Sequence, residues 1–342
     1  MSATIALRPA SDCRFDVVTL GEVMLRFDPG EGRVRTARTF RVSEGGGEYN
    51  VGRALRRVFG HRVALVTAIG DNEIGRLLED LLLQGGTNLD HVVWKPTDEL
   101  GREHRNALNF TERGYGVRPP KGVSDRAHSA TASLEPDDVD WERLFGELGV
   151  RWLHTGGIFA GLSESTFRTA RAAIEVARAH GTIVSYDVNY RPSLWRDVGG
   201  RAAHERATAA LTGDVDLLLG IDPDTFDATV THIAGPSVIA TTRRVVHSAS
   251  VHDWSGIAWS RSDGIVRGST HDGLAILDRI GGGDGFASGV IHGLMSGRPV
   301  AEALELGIAH GALVMTTPGD TSSFDAADVE RLAGGSDADV VR

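Results

Sequence analysis

A chain of 342 residues, 41% of them hydrophobic, carries enough apolar material for a large α/β domain and excludes wholesale disorder. Its 36 basic and 46 acidic residues leave a formal net charge of −10, which argues against nucleic acid or an anionic membrane as partner. A single cysteine, Cys13, rules out an intrachain disulfide and a Cys-based zinc site. With no apolar run of about 18 residues and no signal-type leader, the expected location is the cytoplasm.

Residues 1–14 read as a flexible tail, and residues 15–342 as one domain whose first strand covers 15–21. A helix opens at Glu48, because Val51, Ala54, Leu55, Val58 and Phe59 recur on one helical face. Gly60 closes it and a strand follows over 62–69. A second helix puts Ile74, Leu77, Leu78, Leu81 and Leu82 on one side and stops at Gly85-Gly86. Strand, helix, strand, helix in short order predicts parallel βαβ units. Further strands are expected over 151–154, 182–187, 215–220, 237–241 and 256–260. Residues 100–130 break the pattern. Together with segments inside 23–42 they form either a small sheet acting as a lid or an ordinary surface excursion.

The densest chemical signal is Gly281-Gly282-Gly283-Asp284, set between the apolar strand-like segment Ala275-Ile276-Leu277 and an apolar helix-like run from Phe286 to Met295. Glycines at a helix start leave bare N–H groups that form an anion cradle, reinforced by the helix dipole. An aspartate there would repel a merely bound phosphate. It fits a base that takes a proton while the cradle holds charge on a transferring phosphoryl group. Taken alone, the four residues fit a glycine turn with an Asp cap equally well. Gly45-Gly46-Gly47-Glu48-Tyr49-Asn50 is a second cradle at a helix start, suited to sugar hydroxyls or a carboxylate. Arg191, in Asp187-Val188-Asn189-Tyr190-Arg191, follows a strand and offers a fork for a carboxylate or phosphate, with a surface ion pair as the alternative. Arg126 offers the same, with adjacent Asp125 as a competing partner. Neither lysine, Lys95 or Lys121, follows a P-loop pattern. The histidines lack metal spacing, and the segment from Asp222 to Asp227 lacks the glycine and closing Glu of a calcium loop.

These residues resemble the ribokinase-like (phosphofructokinase-B type) carbohydrate kinases over essentially residues 16–342, at G-E-V-M-L-R (21–26), G-G-G-E-Y-N-V (45–51), R-P-P-K-G-V-S-D-R-A (118–127), D-V-N-Y-R-P-S-L-W (187–195), S-A-S-V-H-D-W-S-G-I (248–257), D-R-I-G-G-G-D-G-F (278–286) and T-P-G-D (317–320). The 187–195 and 248–254 stretches point to the branch that acts on keto-deoxy sugar acids. The resemblance implies a doubly wound, mostly parallel α/β sheet with helices on both faces and a small β-sheet lid. It implies ATP with Mg2+ as donor and 2-keto-3-deoxy-D-gluconate as acceptor, phosphorylated at the 6-hydroxyl. Asp284 would be the base and Gly281, Gly282 and Gly283 the anion cradle. Gly46, Gly47, Asn50, Arg126, Arg191 and Asp320 would bind the sugar acid, and Thr241, Arg243 and Ser248 the nucleotide. Asp224 would order Mg2+ through water, although Ile221 stands where the family usually has Asn. Fructose, 2-keto-3-deoxygalactonate, or binding of sugar or nucleotide without turnover remain as alternatives. Family members often associate, so a homo-oligomer is compatible with the resemblance.

Overall fold

The computed structural model describes residues 5–335. The first strand, β1 (Phe15–Leu20), is buried along its whole length. The chain then leaves the core for two lid strands, β2 (Met24–Asp28) and β3 (Arg41–Gly45), and returns through α1 (Gly47–Arg57). Next come β4 (Val63–Gly70), α2 (Glu73–Gln84) and β5 (Val92–Lys95), then two more lid strands, β6 (Ala107–Glu112) and β7 (Lys121–Asp125). The second half adds β8 (Val150–Gly156), α3 (Gly157–Ala160), α4 (Glu164–Ala179) and β9 (Ile183–Asp187). It continues with α5 (Pro192–Trp195), α6 (Gly200–Thr212), β10 (Leu217–Leu219) and α7 (Phe226–Thr229). A long antiparallel run, β11 (Val238–Ser248), β12 (Val251–Ser260) and β13 (Gly264–Ala275), precedes α8 (Gly282–Met295), α9 (Val300–Val314) and α10 (Ala326–Ala333).

The main sheet is ordered β13-β12-β11-β10-β9-β8-β1-β4-β5, parallel from β11 to β5. Its central strands read as unbroken apolar runs because helices cover both faces. On one face α1, α8 and α9 bury Val51, Leu55, Phe286, Val290 and Ile308 with Val17 and Trp152. On the other, α4 and α6 bury Ala170, Ile174 and Leu211 against Val18, Leu153 and Val184. The chain winds from β1 toward β5 and later resumes at β8 on the opposite side of β1. The switch point therefore lies between β1 and β8, beyond whose C-terminal ends α/β proteins bind ligands. The four-stranded lid sheet, ordered β3-β2-β6-β7, holds a Phe27–Phe110 stack at 4.9 Å with Phe40 edge-on to both.

Some expectations need correction. Of the tail, residues 1–4 lie outside the described residues, while 5–14 are docked: Ile5 and Leu7 pack on the core, and Cys13 is buried. Arg8 Nη1 donates to the Phe145 carbonyl at 2.7 Å, and the Arg8 carbonyl accepts from Arg151 Nε at 3.0 Å. The strands expected at 237–241 and 256–260 join a hairpin whose inner ends reach Ser248 and Val251, because each strand supplies the other's main-chain partners. β13 escaped notice because its alternate residues are exposed and mostly polar. It ends at Ala275, so Ile276 and Leu277 before the cradle are not strand. Residues 336–342 of the assigned domain lie outside the described residues.

Candidate active site

Three glycines open α8 for three different reasons. Gly281 caps the helix at φ +83, and a Cβ there would sit 2.2 Å from the Asp320 carbonyl oxygen. At Gly282 a Cβ would press on Met315, whereas at Gly283 it would meet nothing within 4 Å. Gly283 is exposed, so the bare first turn opens outward, with the N–H groups of residues 282–284 lacking intrahelical acceptors. Asp284 follows in that turn, half-buried, and its Oδ2 accepts a hydrogen bond from Asn50 Nδ2 at 2.7 Å. Burial, Asp187 and Asp320 push its carboxyl up to about 7, opposed by the Asn50 bond and the positive charge of Arg191. A carboxyl titrating there suits a general base at neutral pH.

The second cradle faces the first. Gly46 caps α1 at φ +149, and any Cβ on it would strike the Glu22 carbonyl oxygen at 2.0 Å. A Cβ on Gly47 would point into the gap between Asp284 Oδ1, 3.8 Å away, and Asn189 Nδ2, 3.9 Å away. A hydroxyl placed in that gap would lie beside the Asp284 carboxyl. Asn50 orients Asp284 with its amide N–H, and its buried Oδ1 has no partner among the described residues, leaving it free to accept a hydrogen bond from a ligand.

Beneath both cradles, at the switch point, sits a buried acid. The Glu48 carboxyl fills the space left by Gly21 after β1 and Gly156 at the end of β8, whose Cβ atoms would lie 2.3 and 3.1 Å from its oxygens. Burial pushes it up to about 8, aided by Asp284, Asp187 and Glu22, against the pull of its own main-chain N–H. Burial thus favours the protonated acid, and its Oε2 has no partner among the described residues.

Arginines supply the opposite charge. Arg191 caps α5 without an ion pair among the described residues, and its charge offsets part of the rise that burial imposes on the Asp187 and Asp284 carboxyls. Arg244 on β11 is open to solvent, yet its guanidinium is pushed down, first by the protein around it and then by Arg279 and Arg191. Three like charges, none in an ion pair among the described residues, form a seat for a polyanion. Arg279, two residues before Gly281, lines a cleft of about 340 Å³ with Val246, Ser248 and His252 on the hairpin and Val117 and Pro120 in the lid loop. Two hydrogen bonds tie that loop to the hairpin tip: Ala249 N to the Gly116 carbonyl at 2.9 Å, and Gly116 N to Ser250 Oγ at 3.2 Å.

The structure thus brings together Asp284, Gly281 to Gly283, Gly46, Gly47, Asn50 and Arg191. Other expected site residues already hold partners within the fold, Asp320 while lying beside Gly45, Gly281 and the Asp284 carboxyl. Arg126 Nε pairs with buried Glu22 at 3.0 Å, and Asp125, its supposed competitor, pairs with Arg105 at 2.6 Å. Asp320 is tied to Arg26. Thr241 Oγ1 donates to the Ile221 carbonyl at 2.7 Å, a strand-to-loop tie. Strand side chains alternate in direction, so it is Arg244 and not Arg243 that joins Arg191 and Arg279. Thr241 and Ser248 stand roughly 23 Å apart along β11 at about 3.3 Å per residue, so only Ser248 lines the hairpin-tip cleft. Asp224 is exposed, and no group of three or more His, Cys, Asp or Glu among the described residues could hold a metal. Ile221 is buried in the core cluster with Phe226 and Val230, which explains why an apolar residue stands there. Sequence reasoning missed Glu48, Arg244, Arg279 and Arg26. Only Arg279, beside the glycine motif, carried a local signal.

A doubly wound sheet, a lid, and an aspartate in a helix-start anion cradle define a phosphotransferase acting on an alcohol group. The family model described as "pfkB family carbohydrate kinase" matches residues 14–327, and the chain belongs to that family. It is 29% identical over 334 residues to a 2-dehydro-3-deoxygalactonokinase of Haloferax volcanii, covering 96% of this chain and 99% of that one. A 5-dehydro-2-deoxygluconokinase of Bacillus cereus is 24% identical over 89% of this chain and 90% of its own. Among solved structures, the 2-dehydro-3-deoxygluconokinase of Thermotoga maritima superposes with a TM-score of 0.85 at 29% identity, covering 93% of this chain and 99% of that one.

Proposed function

We propose that this kinase transfers the γ-phosphoryl group of ATP to the 6-hydroxyl of a 2-keto-3-deoxy-hexonate, with 2-keto-3-deoxy-D-gluconate as the preferred acceptor. The observation that carries this reading is Asp284, titrating near 7 in the bare first turn of α8 and oriented by Asn50. A hydroxyl in the gap beside Gly47 gives its proton to Asp284, and its oxygen attacks the γ-phosphorus in line. The bond to the bridging oxygen breaks and ADP leaves. The N–H groups of residues 282–284 face the charge spread over the transferring group, where preorganised donors act most strongly. Arg191, Arg244 and Arg279 serve the two anions that meet there, the donor's phosphates and the sugar acid's carboxylate; a neutral hexose would give them less to bind. Magnesium would arrive on the donor's phosphates, since no group of three or more His, Cys, Asp or Glu among the described residues could hold it. Relatives named for keto-deoxy sugar acids, each 29% identical, support this acceptor class.

The test is ADP formation from ATP and Mg2+ with 2-keto-3-deoxygluconate, its galacto epimer and fructose as acceptors. Selective turnover of the gluconate is expected. Turnover of the galacto epimer alone would keep the mechanism and change the acceptor. Absence of turnover with all three, from folded protein that binds ATP, would refute the reading.

A further inference from the structure

Arg26 lies mid-strand in β2 of the lid, opposite Ser43 on β3 and Asn109 on β6, and its side chain is fully buried. A lone guanidinium there would be costly, and carboxylates meet it. Nη1 donates to Asp320, and Nη2 donates to Asp278 and to Asp28, the last at 3.4 Å. Asp28 shares its strand, whereas Asp278 and Asp320 lie 252 and 294 residues further along, flanking the α8 cradle. Asp278 Oδ1 accepts from Ile280 N at 3.2 Å, and its Oδ2 accepts from Gly319 N at 3.3 Å. The Asp320 carbonyl packs on Gly281, the left-handed residue that aims the first turn. One lid side chain therefore grips both walls of the turn that carries the catalytic amides.

We propose that Arg26 is a positioning residue that locks the Gly281–Gly283 cradle to the lid sheet, so that lid placement and cradle geometry are set together. A planar fork is needed, because it reaches carboxylates on two separate turns at once; a lysine, with one nitrogen, holds one of them firmly. The consequence for turnover rests on the kinase reading, while the structural tie does not.

Amide hydrogen exchange on the full chain without ligands tests the tie. Arg26→Lys keeps the charge and is expected to speed exchange in residues 277–285 and 316–322 by about tenfold, leaving β1 and β8 unchanged. Unchanged protection in both segments, or acceleration spread evenly over the fold, would overturn the proposal. If Arg26→Lys does not fold, Asp278→Asn cuts the tie from the other side and must loosen residues 277–285; unchanged protection there would equally overturn it. The functional arm compares ADP·Mg2+ binding with and without aluminium fluoride, a mimic of the transferring phosphoryl group. Arg26→Lys should weaken the fluoride complex about tenfold while ADP affinity stays within about twofold. Equal weakening of both would overturn the positioning role. Failure of the unaltered protein to bind ADP would refute the kinase reading and leave the exchange arm to judge Arg26.

Discussion

Glu48→Gln isolates the buried acid beneath the two cradles. The Glu48 carboxyl titrates at about 8 in the fold against 4.5 for an unperturbed side chain, with burial the leading cause. Its folded-state pKa is raised, so folding takes up a proton whenever the pH lies between those values. The stability cost is absent below 4.5, grows by about 1.4 kcal/mol per pH unit, and levels near 5 kcal/mol above pH 8. Glutamine has the shape of the protonated acid and no charge, so it fits between Gly21 and Gly156 without that cost. Urea unfolding of both proteins from pH 5 to pH 9 should show a gap in favour of Glu48→Gln that widens with pH, about 3 kcal/mol at pH 7. Since burial favours the protonated acid that glutamine mimics, turnover at pH 7 should stay within about threefold. A gap that is flat with pH, or a variant less stable at pH 9, would show that Glu48 is ionised in the fold and refute the reasoning.

Two further outcomes follow from the site. With Asp284 titrating near 7, kcat/KM should rise about tenfold per pH unit below that value and level above it, because only the carboxylate accepts the proton; a profile flat from pH 5.5 to 8 would remove Asp284 as the base. Gly281→Ala and Gly283→Ala should separate folding from catalysis. Alanine at 281 meets the Asp320 carbonyl at φ +83 and should lower stability by about 2–4 kcal/mol. Alanine at 283 touches nothing within 4 Å and should leave stability within about 0.5 kcal/mol while cutting kcat by crowding the phosphoryl group; thermal melts and steady-state rates on the same samples read both, and a fully active Gly283→Ala would contradict the cradle assignment.

The parts of the fold legible in the sequence were those written in local pattern. β1, β4, α1 and α2 announce themselves by apolar spacing and glycine stops, and the lid strands by their break with that pattern. The cradle at 281–284 was legible because helix-start glycines have a local cause, as were Asn50 in the second glycine cradle and Arg191 just past a strand. What stayed hidden depends on pairing across the chain. Arg26 in Met-Leu-Arg-Phe-Asp looks like an ordinary strand charge until two carboxylates more than 250 residues away close on it. Glu48 resembles a first-turn helix acid, and only the missing side chains at Gly21 and Gly156 show that it points inward. Nor can a motif reveal that Arg126 and Asp320 also pair with Glu22 and Arg26.

The central claim, that Asp284 deprotonates a sugar hydroxyl in a helix-start cradle, is tested most directly by Asp284→Asn. The assay follows ADP formation from ATP, Mg2+ and whichever keto-deoxy sugar acid the unaltered enzyme turns over, with nucleotide binding measured on the same sample. Asparagine keeps the shape and removes the base. The expected result is a fall in kcat of about 10³, within the usual span for loss of a general base, with ATP still bound and the melting temperature no lower. Turnover within tenfold of the unaltered enzyme would contradict the assignment.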